Sequence, residues 1–153
     1  MRKKMKAVFQ IMTIMLCLAS GSAIAQPGFG LRLGATADPN QFHFGAHVIS
    51  HSLVSHLTFR PNLEIGIGSN IKTIAANFEF AFGIPVPKTD TSLYLGAGPA
   101  LIIAHHDRLD HTNTGGGLNF LVGLEHSDGL FGEIKVGAID SPEFKFTVGY
   151  TFR

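Results

Sequence analysis

The chain has 153 residues, with 12 Lys and Arg against 11 Asp and Glu, and it contains one cysteine. This length suits a single domain, and no linker or low-complexity tract divides it. Beyond position 6 the basic residues do not cluster, and residues 26–153 are mildly acidic, which argues against a nucleic-acid partner. One cysteine excludes an internal disulfide.

The first 25 residues have the organisation of a cleaved signal peptide. Basic residues stand at positions 2, 3, 4 and 6, an apolar run follows at about 7–19, and Ala23-Ile24-Ala25 offers a small-x-small cleavage site. The apolar run is short for a transmembrane helix, and Cys17 lies too early, after the bulky Leu16, for a lipoprotein. We predict a signal peptide at 1–25 and one β-barrel domain at 26–153. That domain has no cysteine and carries eight basic and eleven acidic residues.

From Gly28 onward, short segments of alternating apolar and polar residues recur between turn signals. We predict eight strands, at about 28–36, 42–51, 56–67, 71–83, 91–104, 115–126, 130–139 and 143–152. Several approach the roughly 9–11 residues that a tilted strand needs to cross a bilayer, and their even number suits closure. The connections are of hairpin length, so the fold class predicted is all-β: an eight-stranded antiparallel up-and-down transmembrane β-barrel. Pro61 and Pro99 fall inside strands, where we expect bulges or edges of regular pairing.

The polar face of these strands carries few charges, and they nearly balance. A soluble barrel would need a more highly charged exterior, so we expect the apolar face to look outward and the polar face inward. Eight strands leave an interior just wide enough for side chains, where opposite charges can pair. We predict ladder-like pairs Glu133–Lys135 and Glu143–Lys145 and a side-chain-plugged interior rather than an open pore. The predicted interior charge network comprises Arg32, Arg60, Glu64, Glu79, Glu125, Glu133, Lys135, Glu143 and Lys145.

Aromatic residues are predicted to gather at the two ends of the barrel. One group lies at the end that holds the termini, and Phe42, Phe44, Phe144 and Phe146 lie at the other. Two such girdles are typical of an outer-membrane barrel, although same-side residues of a soluble sandwich would imitate part of the pattern. The first group comprises Phe29, Phe59, Phe80, Phe82, Tyr150 and Phe152.

The signal peptide, eight alternating segments and aromatic last strand resemble the small outer-membrane β-barrel superfamily, of the OmpX and OmpA transmembrane-domain type. The resemblance spans residues 28–152 and implies location in a Gram-negative outer membrane, with membrane lipids and the assembly machinery as partners. It also implies that Tyr150 and Phe152 form the assembly signal. The chain departs from the usual terminal aromatic carboxylate because Arg153 follows Phe152, and the sequence assigns Arg153 no place.

Histidines are the most evident candidates for chemistry. His105, His106 and His111 lie in what we predict to be the longest loop, 105–114, and are weak candidates for a metal site because no regular element orders them. His43 and His47 are about 13 Å apart along a strand, so we expect them in the interior hydrogen-bonded network. We predict no cofactor.

Catalytic candidates are weaker still. The pairs His51-Ser52 and His126-Ser127 cannot each form a Ser–His dyad alone, because adjacent residues in an extended chain point oppositely. The leading prediction is therefore a non-enzymatic structural or surface-interaction protein, favoured as a monomer. A narrow channel or small-ligand-binding barrel is the alternative, and a lipid A-modifying enzyme is less favoured.

Overall fold

A computed structural model describes residues 28–108 and 110–153 of the chain, so the predicted signal peptide lies outside the described residues. Within them the chain forms nine antiparallel strands. Among the described residues, no helix is long and apolar enough to cross a membrane. The strands are β1 (Gly28–Ala37), β2 (Gln41–Ile49), β3 (Ser52–Val54), β4 (Leu57–Gly68), β5 (Ile71–Pro85), β6 (Thr91–His106), β7 (His111–His126), β8 (Leu130–Ile139) and β9 (Phe144–Phe152).

Eight of these strands close into a barrel, which confirms the predicted fold. Each long strand pairs with its neighbours in sequence, β1 pairs with β9, and β2 pairs with β4. Strand β3 is a three-residue addition that pairs with β4 alone and shifts register between Ser52 and Val54. The terminal rim of the barrel holds Gly28, Arg153 and the connections at 50–56, 86–90 and 127–129. The far rim holds the turns at 38–40, 69–70, 107–110 and 140–143.

The two prolines sit where pairing is interrupted, as predicted. The β2–β4 ladder ends at Asn62, beside Pro61. The β5–β6 ladder skips from Asn77–Ala100 to Phe80–Ala97, so it is broken opposite Pro99. Because proline has no backbone N–H, each ladder loses a donor at that point.

The predicted loop at 105–114 is wrong. Strand β6 continues to His106 and β7 begins at His111, which leaves a four-residue connection at 107–110. The segment has no alternating apolar face, so periodicity did not mark it as strand. The β6–β7 pairing is nevertheless continuous up to His106 and His111, so this polar segment is part of the sheet.

Burial is inverted relative to a soluble domain. Among the described residues, 17 polar or charged residues are buried, against eight hydrophobic ones, while 27 large hydrophobic residues are exposed. Strand β1 shows the pattern along its whole length, with buried and exposed residues in strict alternation. The sequence therefore places its charged face inside the barrel and its apolar face outside.

Candidate functional site

Six charged residues from five strands meet at the centre of the barrel. Each is no more than 5% exposed. Three cations face three carboxylates, so the group is formally neutral, as a buried set of charges must nearly be. We call this group the central cluster. It comprises Arg32 on β1, Glu64 on β4, Glu79 on β5, Glu133 and Lys135 on β8, and Lys145 on β9.

Lys135 contacts all three carboxylates of the central cluster. Its Nζ lies 2.8 Å from Glu79 Oε1, 3.3 Å from Glu64 Oε1 and 3.5 Å from Glu133 Oε1. Glu64 in turn accepts from Arg32 Nη1 at 3.0 Å and from Lys145 Nζ at 2.7 Å. These contacts join strands on opposite walls of the barrel. The central cluster therefore connects side chains across the lumen.

Three asparagines extend the central cluster into a closed hydrogen-bonded ring. Asn62 donates to Glu79 Oε2 at 2.8 Å, and Asn77 donates to Asn62 Oδ1 at 2.7 Å. Asn119 donates to Asn77 Oδ1 at 2.8 Å and to Glu79 Oε1 at 3.1 Å. The ring crosses β6 beside Gly98, which pairs with Asn119 and where an added Cβ would collide with a backbone carbonyl of β5. A glycine is required there because the β5 backbone lies too close for a Cβ.

A second group of charges lies near the terminal rim. Arg60 Nη2 lies 2.8 Å from Glu125 Oε2, and Arg153 Nη2 binds the other oxygen of the same carboxylate. Arg153, which the sequence could not place, therefore pairs with a charge on β7. We call Arg60, Glu125 and Arg153 the rim cluster.

Two buried aromatic residues contact these clusters, and sequence reasoning missed both. The Arg60 guanidinium stacks 4.3 Å from the Tyr94 ring centroid, and Tyr94 Oη donates to Glu133 at 2.9 Å. Phe131 lies under the Arg32 guanidinium at 5.5 Å. Strand parity was the available signal, since Phe131 lies two residues from Glu133 and must share its inward face.

His43 and His47 point inward and bind threonine hydroxyls. The two ring nitrogens of His43 lie 2.9 Å from Thr36 Oγ1 and 3.0 Å from Thr147 Oγ1. His47 Nε2 lies 3.0 Å from Thr151 Oγ1, and its Nδ1 is buried without a hydrogen-bond partner among the described residues. Each histidine thus bridges β2 to β9, across β1. The inward glycines Gly30 and Gly34 leave the space that the two rings occupy.

Of the nine charges predicted for the interior, the structure places Glu143 elsewhere. Glu143 is exposed and precedes β9, which begins at Phe144. The predicted Glu143–Lys145 pair is therefore wrong. The turn at 140–143 includes Glu143, and the β8–β9 ladder begins only at Phe144. The two lysines, Lys135 and Lys145, instead lie directly opposite each other on β8 and β9. Both reach Glu64, so the charges form a three-dimensional cluster rather than a cross-strand ladder.

The remaining candidates lie near the rims. Tyr150 and Phe152 face outward with ring centroids 5.0 Å apart. His126 Nδ1 lies 2.8 Å from Asp128 Oδ1 rather than against Ser127. A backbone amide at Leu130 and the His126 ring lower the pKa of Asp128. Among residues 28–108 and 110–153, no group of three or more His, Cys, Asp or Glu is arranged to hold a metal ion.

Two shallow clefts lie at the ends of the barrel. The terminal-rim cleft, of about 250 Å³, is bordered by the 85–92 segment, by residues 125–127 and by Arg153. The far-rim cleft, of about 610 Å³, is bordered by the ends of β1, β2 and β4 and by the turns at 38–40 and 69–70. Neither cleft contains a residue of the central cluster.

Comparisons with known proteins identify the fold. No protein-family model matches the chain, and no curated protein matches it significantly in sequence. The structure is similar to the N-terminal β-barrel domain of Pseudomonas aeruginosa OprF, with 12% identity, a TM-score of 0.62 and coverage of 82% of this chain and 96% of that one. It is also similar to Neisserial surface protein A, with 14% identity, a TM-score of 0.64 and coverage of 82% and 94%. The chain therefore has the eight-stranded antiparallel barrel fold of the small outer-membrane barrels that its sequence resembles.

Proposed function

We propose that the chain is an integral outer-membrane β-barrel protein with a structural or surface-interaction role, a plugged interior and no catalytic activity. The inverted burial carries this proposal. A barrel in water would expose its charges and bury its phenylalanines, since apolar burial is the main driving force of folding. Here the central cluster is buried while Phe29, Phe120 and Phe152 are each more than half exposed.

The dimensions of the apolar belt suit a bilayer. Strand β1 has ten residues, which span about 33 Å along the strand. A tilt of roughly 40° reduces this to about 25 Å of height, the height of the lipid-facing band in outer-membrane barrels. Rings at the two rims would lie at the membrane–water interfaces, with membrane lipids as the partners of the belt.

A plugged interior is supported by the charges that cross the lumen. Lys135 and Lys145 extend from β8 and β9 to Glu64 on β4, and the asparagine ring blocks the space between β4 and β7. An ion moving along the axis would have to break several of these contacts. We therefore expect no conductance in planar bilayers from the wild type, and none from Glu79→Ala or Arg60→Ala. Steady single-channel currents from the wild type would favour the narrow-channel alternative.

Membrane fractionation with heat-modifiable gel mobility tests the location. We expect the chain in the outer-membrane fraction, with a mobility that changes on boiling. Recovery from the soluble periplasm, with unchanged mobility, would overturn the proposal. An unchanged lipid A mass spectrum on expression is expected, and a mass shift that depended on a Ser or His of the chain would revive the enzyme hypothesis.

A matched pair of charge substitutions on β7 tests which face meets lipid. Phe120 is an outward residue in the middle of the belt, and Thr112 is an outward residue beyond it. Phe120→Arg should reduce the folded fraction in vesicles, at a cost of about 2–4 kcal/mol for a charge at mid-membrane depth, whereas Thr112→Arg should be tolerated. If the protein were water-soluble, Phe120→Arg would leave folding intact and would improve solubility.

A further inference from the structure

The hairpin at the tip of β6 and β7 brings two histidines together that the sequence places in an unordered loop. His106 and His111 are direct cross-strand partners, the last pair before the turn at 107–110. Side chains of directly opposed residues lie on the same face, with Cβ atoms about 4.5–5.5 Å apart. His106 continues the inward series of Ala100 and Ile102, so both rings lie on the lumen side of the far rim.

The neighbouring pair shows that side chains at this spacing do meet. His105 and Thr112 are cross-strand partners one residue earlier, on the outer face of the hairpin. There His105 Nδ1 lies 3.0 Å from Thr112 Oγ1, and its Nε2 lies 3.6 Å from Asp107 Oδ1. His105 therefore engages Thr112 and lies near Asp107 on the outer face of the hairpin. It is not available to the inner pair.

His106 and His111 have no such engagements. Within residues 28–108 and 110–153, neither ring has a hydrogen bond or an ion pair. Imidazole nitrogens suit Cu²⁺, Ni²⁺ and Zn²⁺. The distance from zinc to a bound imidazole nitrogen is about 2.0–2.1 Å. Two imidazoles rooted about 5 Å apart on a paired hairpin can reach one ion from two sides.

We propose that His106 and His111 form a two-histidine site for a divalent transition metal at the far rim, with water completing the coordination. The site is built from the strand pairing alone, so it does not depend on where the barrel resides in the cell. The third histidine of the segment, His105, is excluded by its position on the opposite face. The pairing of β6 with β7 therefore fixes which two of the three histidines share a face, whereas an unordered loop would not.

The experiment uses Cu²⁺ and the untagged, folded barrel of residues 26–153, in detergent at neutral pH. Affinity is measured by competition with a chelator, and the coordinated imidazoles are counted from the nitrogen couplings in the electron paramagnetic resonance spectrum. Gel mobility without boiling establishes that every variant is folded. His105→Ala is the matched control, since it removes an adjacent histidine from the other face of the same hairpin.

We expect the wild type and His105→Ala to bind one Cu²⁺ through two imidazoles with the same affinity. His106→Ala and His111→Ala should each lose one imidazole and bind about a hundredfold more weakly, because the second ligand no longer acts at a high effective concentration. The proposal is overturned if either of these variants keeps two imidazoles and wild-type affinity. It is also overturned if His105→Ala weakens binding as much as they do, or if the wild type shows a single imidazole.

Discussion

Lys135 is the cation on which the central cluster depends most, and Lys135→Met tests that dependence. At an effective dielectric of about 20, the attraction is about 6 kcal/mol for the 2.8 Å contact with Glu79, and about 5 kcal/mol for each of the 3.3 Å and 3.5 Å contacts with Glu64 and Glu133. The desolvation of the ammonium and repulsion from the other cations offset most of this. We expect a net loss of about 3–5 kcal/mol of unfolding free energy, as for other broken buried ion pairs.

The assay is reversible urea unfolding in lipid vesicles, followed by loss of the folded, faster-migrating gel species. Lys72→Met is the matched control, because the Lys72–Asp107 pair joins an exposed lysine, 60% accessible, to an exposed carboxylate at 3.3 Å. Exposed pairs contribute about 0–1 kcal/mol. The control should therefore unfold at nearly the same urea concentration as the wild type.

A second substitution separates charge from packing. Lys135→Met leaves three carboxylates facing two cations, and adding Glu79→Gln restores neutrality with a side chain of the same shape. We expect the double variant to be more stable than Lys135→Met by at least about 1 kcal/mol, as coupled neighbours are not additive. The reasoning is refuted if Lys135→Met costs less than about 1 kcal/mol, or if Glu79→Gln deepens the loss instead of reversing it.

Further predictions concern the turn at 127–129. Gly129 has a φ of 107° and lies against the Thr151 carbonyl, so Gly129→Ala should cost more than about 1 kcal/mol in the same unfolding assay. Gly132→Ala, with nothing near the added Cβ, should be nearly neutral. A backbone amide and His126 lower the pKa of Asp128, so its stabilising contribution is present at neutral pH and disappears as pH falls through the lowered pKa. Asp128→Asn should therefore differ from the wild type at neutral pH and match it in acid; a difference that grew in acid would contradict this.

The sequence by itself determined the barrel and the sidedness of its strands. Strict alternation in segments such as Phe144–Phe152 assigns every residue to one of two faces, because the side-chain period of a strand is two. Charges confined to one face then indicate which face is enclosed. This reasoning correctly placed Arg32, Glu64 and Lys135 inside, and the same parity would have found Phe131.

Only the tertiary structure decided which interior groups meet. Partners across the lumen depend on the stagger between strands, which alternation does not encode. Lys135 and Lys145 consequently lie opposite each other and share Glu64, where the sequence predicted a ladder of neighbouring pairs. Strand pairing likewise turned the predicted 105–114 loop into a hairpin and set His106 against His111. Alternation along a strand assigns each residue to a face, whereas its neighbours across the lumen depend on the register between the strands of the closed barrel.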